Sequence, residues 1–225
     1  MGHSLLSFVL LALARAACAA PNEIKVFTDE LAAYRAQTLE THVNKARTGP
    51  LRVMPEYSYG IWHDWEFSLQ LPLAFTSGSS VSEGYRAELQ YIAPHDREQG
   101  LYWGLNFELA RDFPIGEQHF WILEVIPIIG WRGERWHLAV NPGMQKPLSG
   151  ASRSSTATPA AKIAYRVFAD NAFGLEYYRD AGPSHMVYLA WDGNIGKSDI
   201  NLGIGHGTTA NSDRWVVKAI YEFAF

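Results

Sequence analysis

The chain has 225 residues, of which 48% are hydrophobic and 13% aromatic, and this is enough for one domain the size of a barrel or a sandwich. The formal net charge of −4 at pH 7 leaves no basic face of the kind that binds nucleic acid. The single cysteine, Cys18, lies in the first twenty residues, so the rest of the chain has no disulfide, no thiolate nucleophile and no cysteine metal site.

Residues 1–20 have the pattern of a cleaved secretory signal peptide. An apolar core at Leu5–Leu13 is followed by small residues, and we expect cleavage after Ala19 or Ala20. The apolar run is too short to span a bilayer comfortably, which disfavours a membrane anchor. Arg15 stands three residues before the cysteine, where a lipoprotein signal has an aliphatic residue, so we expect no lipid anchor.

The stretch EIKVFTDELAAYRAQ, residues 23–37, precedes the first clear strand pattern. Thr28 and Asp29 stand before Glu30–Ala33, so this stretch could be a short capped helix. It could also extend the first strand. We favour a short segment outside the strands.

From residue 36 onward, apolar and polar side chains alternate with a period of two, which predicts β-strands. Trp65, Phe67 and Leu69, for example, alternate with polar residues. Each run has about nine to eleven residues, the length that a tilted strand needs to cross a bilayer. Twelve such runs occur, near residues 36–45, 51–61, 65–75, 84–93, 101–111, 119–131, 135–142, 159–168, 172–180, 185–192, 198–206 and 214–225.

The predicted connections between these runs alternate in length. Thr76–Glu83 and Gly143–Thr158 are long and rich in Ser, Thr and Gly, and His95–Gly100 is longer than its position in the alternation predicts. Short turns at one end and long loops at the other are typical of membrane barrels. The short connections are Trp62–Asp64, Arg132–Glu134, Ala169–Asn171 and Gly193–Lys197.

A soluble β-sandwich also shows this alternation, but two features favour a barrel. The face opposite the apolar one mixes charged residues with small ones such as Gly203 and Ala164, which suits the interior of a tube. Aromatic residues gather near the ends of runs, as at Trp62, Trp131 and Trp215, and membrane barrels place such rings at the headgroups. We therefore predict an all-β, closed, antiparallel up-and-down transmembrane barrel of about twelve strands.

The last run, WVVKAIYEFAF, places Tyr221, Phe223 and Phe225 on one face and Lys218 on the other. A terminal strand of this kind resembles the recognition strand of Gram-negative outer-membrane proteins, which the assembly machinery reads. That family often has glycine five residues before the end, where Ile220 stands here. The resemblance implies export through the periplasm to the cell outer membrane, with outer-membrane lipids, periplasmic chaperones and the barrel-assembly machinery as partners.

Residues 21–225 as a whole resemble a single Gram-negative barrel domain of about twelve strands. The stretches PEYSYGIWHDWEFSLQLPL, WHLAVNPG and FGLEYYRDAGP also resemble a group of outer-membrane proteins, some named after phenol-degradation pathways or transport. This resemblance implies no catalytic residue. In such a barrel, residues 21–35 form a periplasmic or plug-like lead-in.

The alternation places the charged side chains on the face opposite the apolar one. This face should line the lumen, because a basic residue on the lipid face costs about 2–4 kcal/mol at mid-bilayer. These side chains could line a water-filled path, or they could pair with one another and fill the tube. Twelve strands lie between filled eight-stranded barrels and open porins, so both alternatives stay open. Carboxylates predominate, so a pore would favour cations. The predicted lumen-lining residues are Arg86, Glu88, Glu108, Glu124, Arg166, Glu176, Lys218 and Glu222.

Gly203, Gly205 and Gly207 alternate in the stretch INLGIGHGTT. A phosphate-binding loop is excluded because no helix pattern follows and no GK[ST] motif occurs. Small inward residues on a strand instead leave room for a bulky neighbour, such as an arginine, or allow a local bend.

The function that this pattern favours is a narrow passive channel or transporter for small cationic or neutral solutes. The alternative is a sealed structural or adhesive barrel whose loop at Leu148–Thr158 meets partners outside. A lipid-modifying enzyme is less favoured, because the histidines lack the spacing of a metal set and because Ser184 and His185, as neighbours on a strand, face opposite ways. We predict no enzymatic activity, no metal and no cofactor.

Overall fold

The computed structural model describes residues 24–113, 119–150 and 154–225, so the predicted signal peptide lies outside the described residues. Over these ranges the chain forms strands, turns and irregular segments. None of the described residues belongs to a helix long and apolar enough to span a bilayer. The strands are β1 (Gln37–Ala46), β2 (Leu51–Trp62), β3 (Trp65–Gln70), β4 (Leu73–Thr76), β5 (Ser79–Ser82), β6 (Gly84–Ile92), β7 (Gly100–Asp112), β8 (Phe120–Arg132), β9 (Trp136–Pro147), β10 (Thr156–Phe168), β11 (Asn171–Arg179), β12 (His185–Ile195), β13 (Ser198–Gly207) and β14 (Trp215–Ala224).

The strands close into an antiparallel barrel. Successive strands pair with their neighbours from β6 to β14, and β1 pairs with β2 on one side and with β14 on the other. The closing register runs from Thr38 opposite Ala224 to Ala46 opposite Val216. Because the first and last strands are hydrogen-bonded to each other, the barrel prediction is confirmed and the sandwich is excluded.

Two of the twelve positions around the barrel hold interrupted strands. β3 and β4 both pair with β2 and are separated by Leu71 and Pro72, while β5 returns along β4 and leads into β6. Pro72 has no N–H to donate to a ladder, which accounts for the break. The prediction of a long loop at Thr76–Glu83 is wrong, because Ser79–Ser82 pairs with Leu73–Thr76 and only residues 77–78 form the turn.

The barrel is apolar outside, and its buried interior combines polar and charged side chains with apolar ones. In β12, Tyr188 faces inward and is fully buried, whereas Leu189 is 58% exposed; in β14, Lys218 is 1% exposed and Val217 is 55% exposed. This distribution is the reverse of a soluble protein, where large apolar patches on the surface are rare. It is the distribution that a barrel wall in hydrocarbon requires.

The two ends of the barrel differ in the length of their connections. We call the end that carries Gln37 and Phe225 the turn end, and the opposite end the loop end. Four of the five turn-end connections have two or three residues, and the fifth spans residues 93–99. Residues 113–119 and 208–214 form longer connections at the loop end. The predicted loop 143–158 is shorter than expected, because β9 and β10 continue into it and leave residues 148–155.

Residues 24–35, which we call the strap, lie inside the barrel. The strap is neither a capped helix nor an extension of β1, and its one bridge joins Tyr34 to Gly60 in parallel. Ile24 packs in the loop-end half beside Val216, and the strap reaches the turn end where β1 begins. The strap therefore runs along the lumen from the loop-end half to the turn end.

Candidate functional site: the lumen

The barrel wall holds the backbone of the strap through side chains far away in sequence. The amide of Asn141 accepts a hydrogen bond from the Phe27 N–H at 2.8 Å and donates one to the Phe27 carbonyl at 3.0 Å. The Ala32 N–H donates to the carboxylate of Glu66. A buried backbone group without a partner costs about 1–3 kcal/mol, so these contacts stabilise an irregular segment inside the tube.

A buried cluster around Lys218 holds the start of the strap. The Lys218 ammonium donates to the Glu176 carboxylate, to the Tyr178 hydroxyl oxygen at 3.0 Å and to the Ile24 carbonyl at 3.2 Å. The Tyr178 hydroxyl donates to Glu176 at 2.6 Å, and the Lys162 ammonium lies 3.5 Å from Glu176. Both Lys218 and Glu176 have side chains 1% exposed, so this is a paired charge deep in the barrel.

Two of the alternating glycines make room for this cluster. A Cβ at Gly203 would lie 2.9 Å from the Lys218 side chain, and one at Gly205 would lie 2.4 Å from the Tyr188 ring. The prediction that small inward residues accommodate bulky neighbours is confirmed, although the neighbours are a lysine and a tyrosine rather than an arginine.

Asp29 anchors the turn-end part of the strap. Arg132 donates to its carboxylate at 2.5 Å, and ring nitrogens of His95 and His137 lie 3.1 Å and 3.8 Å from it. Burial alone would raise the pKa of Asp29, but the hydrogen bond and the charge of Arg132 lower it below its ordinary value. Asp29 therefore stays ionised and forms an ion pair, and it does not cap a helix as its sequence context allowed.

A row of carboxylates crosses four neighbouring strands of the wall. Asp199 on β13 is directly opposite Glu222 on β14, Glu222 is opposite Glu40 on β1, and Glu40 is opposite Glu56 on β2. We call these four residues the acidic row. Like charges directly opposite one another destabilise a sheet, and cations beside the row reduce this repulsion.

Two basic groups lie against the acidic row. The Lys25 ammonium of the strap donates to Glu40 at 2.9 Å. The His42 Nε2 atom lies 2.5 Å from Glu40 and 3.3 Å from Glu56, and the imidazole is 1% exposed. The strap thus contributes a positive charge where the wall concentrates negative charge, which adds an electrostatic term to its docking.

A cavity of about 530 Å³ remains between the strap and the wall. It extends from turn-end residues such as Arg97 and Glu134 to Lys218 in the loop-end half. The acidic row lines it, and carboxylates outnumber basic side chains along its surface. The cavity is large enough for several water molecules and has a negative wall.

All eight predicted lumen-lining residues lie on the inner face, but only four of them line the cavity. Glu176, Lys218, Glu222 and Arg166 line the cavity, the last of them exposed near the turn end. The other four lie among wall contacts closer to the loop end. Arg86 donates to Glu108 at 3.1 Å, Glu88 accepts from Gln70 at 2.6 Å, and Glu124 accepts from Thr158 at 2.5 Å.

Sequence analysis predicted Glu222 of the acidic row, and Glu176 and Lys218 beside the start of the strap. It missed Glu40, His42, Lys25 and Asp29. Glu40 and His42 alternate with Leu39 and Val43, so the period-two pattern of the first run could have placed them in the lumen. Lys25 and Asp29 precede the first strand, and nothing local indicates their partners. The predicted assembly residues Tyr221, Phe223 and Phe225 lie on the outer face, 47%, 39% and 63% exposed.

Neither protein-family models nor curated proteins match this sequence. Solved barrels resemble its fold. A KdgM porin in complex with disordered oligogalacturonate has a TM-score of 0.61 at 10% identity, covering 84% of this chain and 99% of that one. Outer membrane phospholipase A from Escherichia coli, as an active-site mutant, has a TM-score of 0.51 at 10% identity, covering 93% of this chain and 95% of that one. At this identity, both likenesses concern the fold alone.

The Ser184–His185 pair does not form a nucleophile and base. Ser184 is 4% exposed and faces inward, whereas the His185 ring faces outward and its Nδ1 lies 2.8 Å from the Tyr177 hydroxyl. A base must reach the nucleophile's hydroxyl within hydrogen-bond distance. The orientation of this pair gives no support to lipid hydrolysis.

Proposed function

We propose that the protein is an outer-membrane barrel that forms a narrow passive channel for small cationic or neutral solutes. The observation that carries this proposal is a charged cavity of about 530 Å³ inside a closed barrel whose outer wall is apolar. A barrel that served stability alone would fill its interior with side chains. The carboxylate-rich wall favours cations over anions.

The unequal ends support an orientation in the membrane. Short turns face the periplasm and longer loops face the outside in outer-membrane barrels, so the turn end, with the strap's exit and Phe225, would be periplasmic. Tyr221, Phe223 and Phe225 would then present the assembly signal to periplasmic chaperones and the barrel-assembly machinery. The predicted signal peptide fits this route of export.

Purified, refolded protein in planar bilayers tests the channel. We expect stepwise, cation-preferring conductance, small because the strap narrows the lumen. Glu222→Gln should reduce the cation preference, because Glu222 lines the cavity and belongs to the acidic row. Glu98→Gln, at the outer margin of the cavity, is the control and should change the preference less. Anion preference in the intact protein would contradict the proposed solute class.

In a membrane, the free-energy cost of a charged residue on the outer face depends strongly on its depth in the bilayer. Leu175 is 52% exposed at the middle of β11, and Ile195 is 64% exposed at the turn-end terminus of β12. Leu175→Arg should destabilise the barrel by about 2–4 kcal/mol, and Ile195→Arg by about 0–1 kcal/mol, in urea unfolding from lipid vesicles. Equal effects at the two positions would argue against a lipid-facing wall.

A further inference from the structure

Glu40, His42 and Glu56 bring three metal-ligand atoms together on the inner wall. The His42 Nε2 atom lies 2.5 Å from Glu40 Oε1 and 3.3 Å from Glu56 Oε2, and the three ligand atoms lie within 4.8 Å of one another. A zinc ion with bonds of about 2.0–2.2 Å spaces its tetrahedral ligands roughly 3.3 Å apart. The His42–Glu56 pair has this spacing, and the His42–Glu40 pair reaches it by a small rotation of the carboxylate.

The same carboxylate already binds a cation from the strap. The Lys25 ammonium lies 2.9 Å from Glu40 Oε1, the oxygen that also faces His42. Glu222 stands directly opposite Glu40 on the other side, so a third carboxyl group borders the Glu40–Glu56 pair at this point of the wall. Glu40 and Glu56 line the cavity, and an ion can therefore reach them from the turn end.

The donor set selects the kind of cation. One imidazole nitrogen with two carboxylates suits zinc and neighbouring divalent transition metals, whereas magnesium and calcium prefer oxygen ligands alone. We infer that Glu40, His42 and Glu56 form a divalent transition-metal site, and that metal binding and docking of the Lys25 ammonium on Glu40 exclude each other. This site is independent of whether the barrel conducts.

Calorimetric titration of the refolded full chain with zinc tests the inference. Wild type should bind one zinc ion at this site, unaffected by excess magnesium. Lys25→Met should bind zinc about tenfold tighter, because the competing charge-assisted hydrogen bond is gone. His42→Gln should lose this binding. His206→Gln removes an exposed outward histidine that packs on Trp215, and as the control it should leave this binding unchanged.

Two results would overturn the inference. One is zinc binding that is unchanged in His42→Gln, and the other is weaker binding in Lys25→Met. If His42→Gln does not refold, Glu56→Gln serves instead, since it keeps the shape and a hydrogen-bonding oxygen while removing one anionic ligand. Its zinc affinity should fall at least about tenfold, and an unchanged affinity would equally contradict the site.

Discussion

A variant that lacks residues 24–33 is expected to conduct several-fold more current per channel than the intact protein. The strap runs along the lumen, and its Ile24, Val26 and Phe27 side chains are 1%, 7% and 4% exposed. Removing them joins the existing cavity to the space that the strap fills. Because conductance rises with the cross-section of the narrowest point, single-channel recordings in planar bilayers should show larger steps.

A single substitution in the wall also tests whether the strap limits conductance, without shortening the chain. A Cβ at Gly60 would lie 2.1 Å from the carbonyl oxygen of Ala33, so Gly60→Val cannot coexist with the docked strap. The Gly60 carbonyl also accepts a hydrogen bond from the N–H of Arg35, the last residue of the strap, at 2.8 Å. We expect Gly60→Val to raise conductance in the same direction as the deletion.

The control for this variant is its neighbour in β2. Ile61 faces outward and is 39% exposed, so Ile61→Val should leave conductance at the level of the intact protein. A strapless variant that refolds as a barrel and conducts no ions would contradict the channel. The wall side chains around Tyr188 and Lys218 would then seal the tube by themselves, and the sealed barrel would be the better interpretation.

The fold could be predicted because each strand carries its own signal. In β12, Tyr188 points inward and Leu189 points outward, and this alternation of buried and exposed side chains is visible within a few residues. Short turns separate neighbouring strands at the turn end. The pattern predicts a loop where β5 lies, because Thr76–Glu83 is rich in Ser and Gly and carries no alternation of apolar residues. All four residues of β5 are exposed, so this strand has no alternation of buried and exposed side chains from which it could be predicted.

The arrangement inside the lumen could be predicted only in part. Parity assigns Glu176 and Lys218 to the inner face, but it does not show that their side chains meet across two intervening strands. The strap was harder still, because its partners are remote. Phe27 meets Asn141, 114 residues away, and Ile24 meets Lys218, 194 residues away. Such contacts depend on barrel closure, which no local pattern encodes.

Lys218→Met should destabilise the barrel by about 3 kcal/mol, at the lower end of the 3–5 kcal/mol seen when one partner of a buried ion pair is removed. Lys218 and Glu176 are each 1% exposed at the side chain, so the remaining carboxylate cannot be hydrated freely. Lys162, 3.5 Å from Glu176, compensates part of the loss. Methionine keeps the length and apolar volume of the lysine stem, so the effect isolates the charge.

The double variant Lys218→Met with Glu176→Gln should regain most of this stability, because Lys162 keeps its ion pair with Asp192 at 2.8 Å and no uncompensated charge is then left in the cluster. Lys45→Met is the matched control. Lys45 is exposed and bonds only the Gly49 carbonyl among the described contacts, at 2.8 Å, so its loss should change stability by no more than about 0.5 kcal/mol. Urea unfolding from lipid vesicles, followed by tryptophan fluorescence, measures all three. If Lys218→Met were no more destabilising than Lys45→Met, the lysine would not be paired inside the barrel, and the start of the strap would need another anchor.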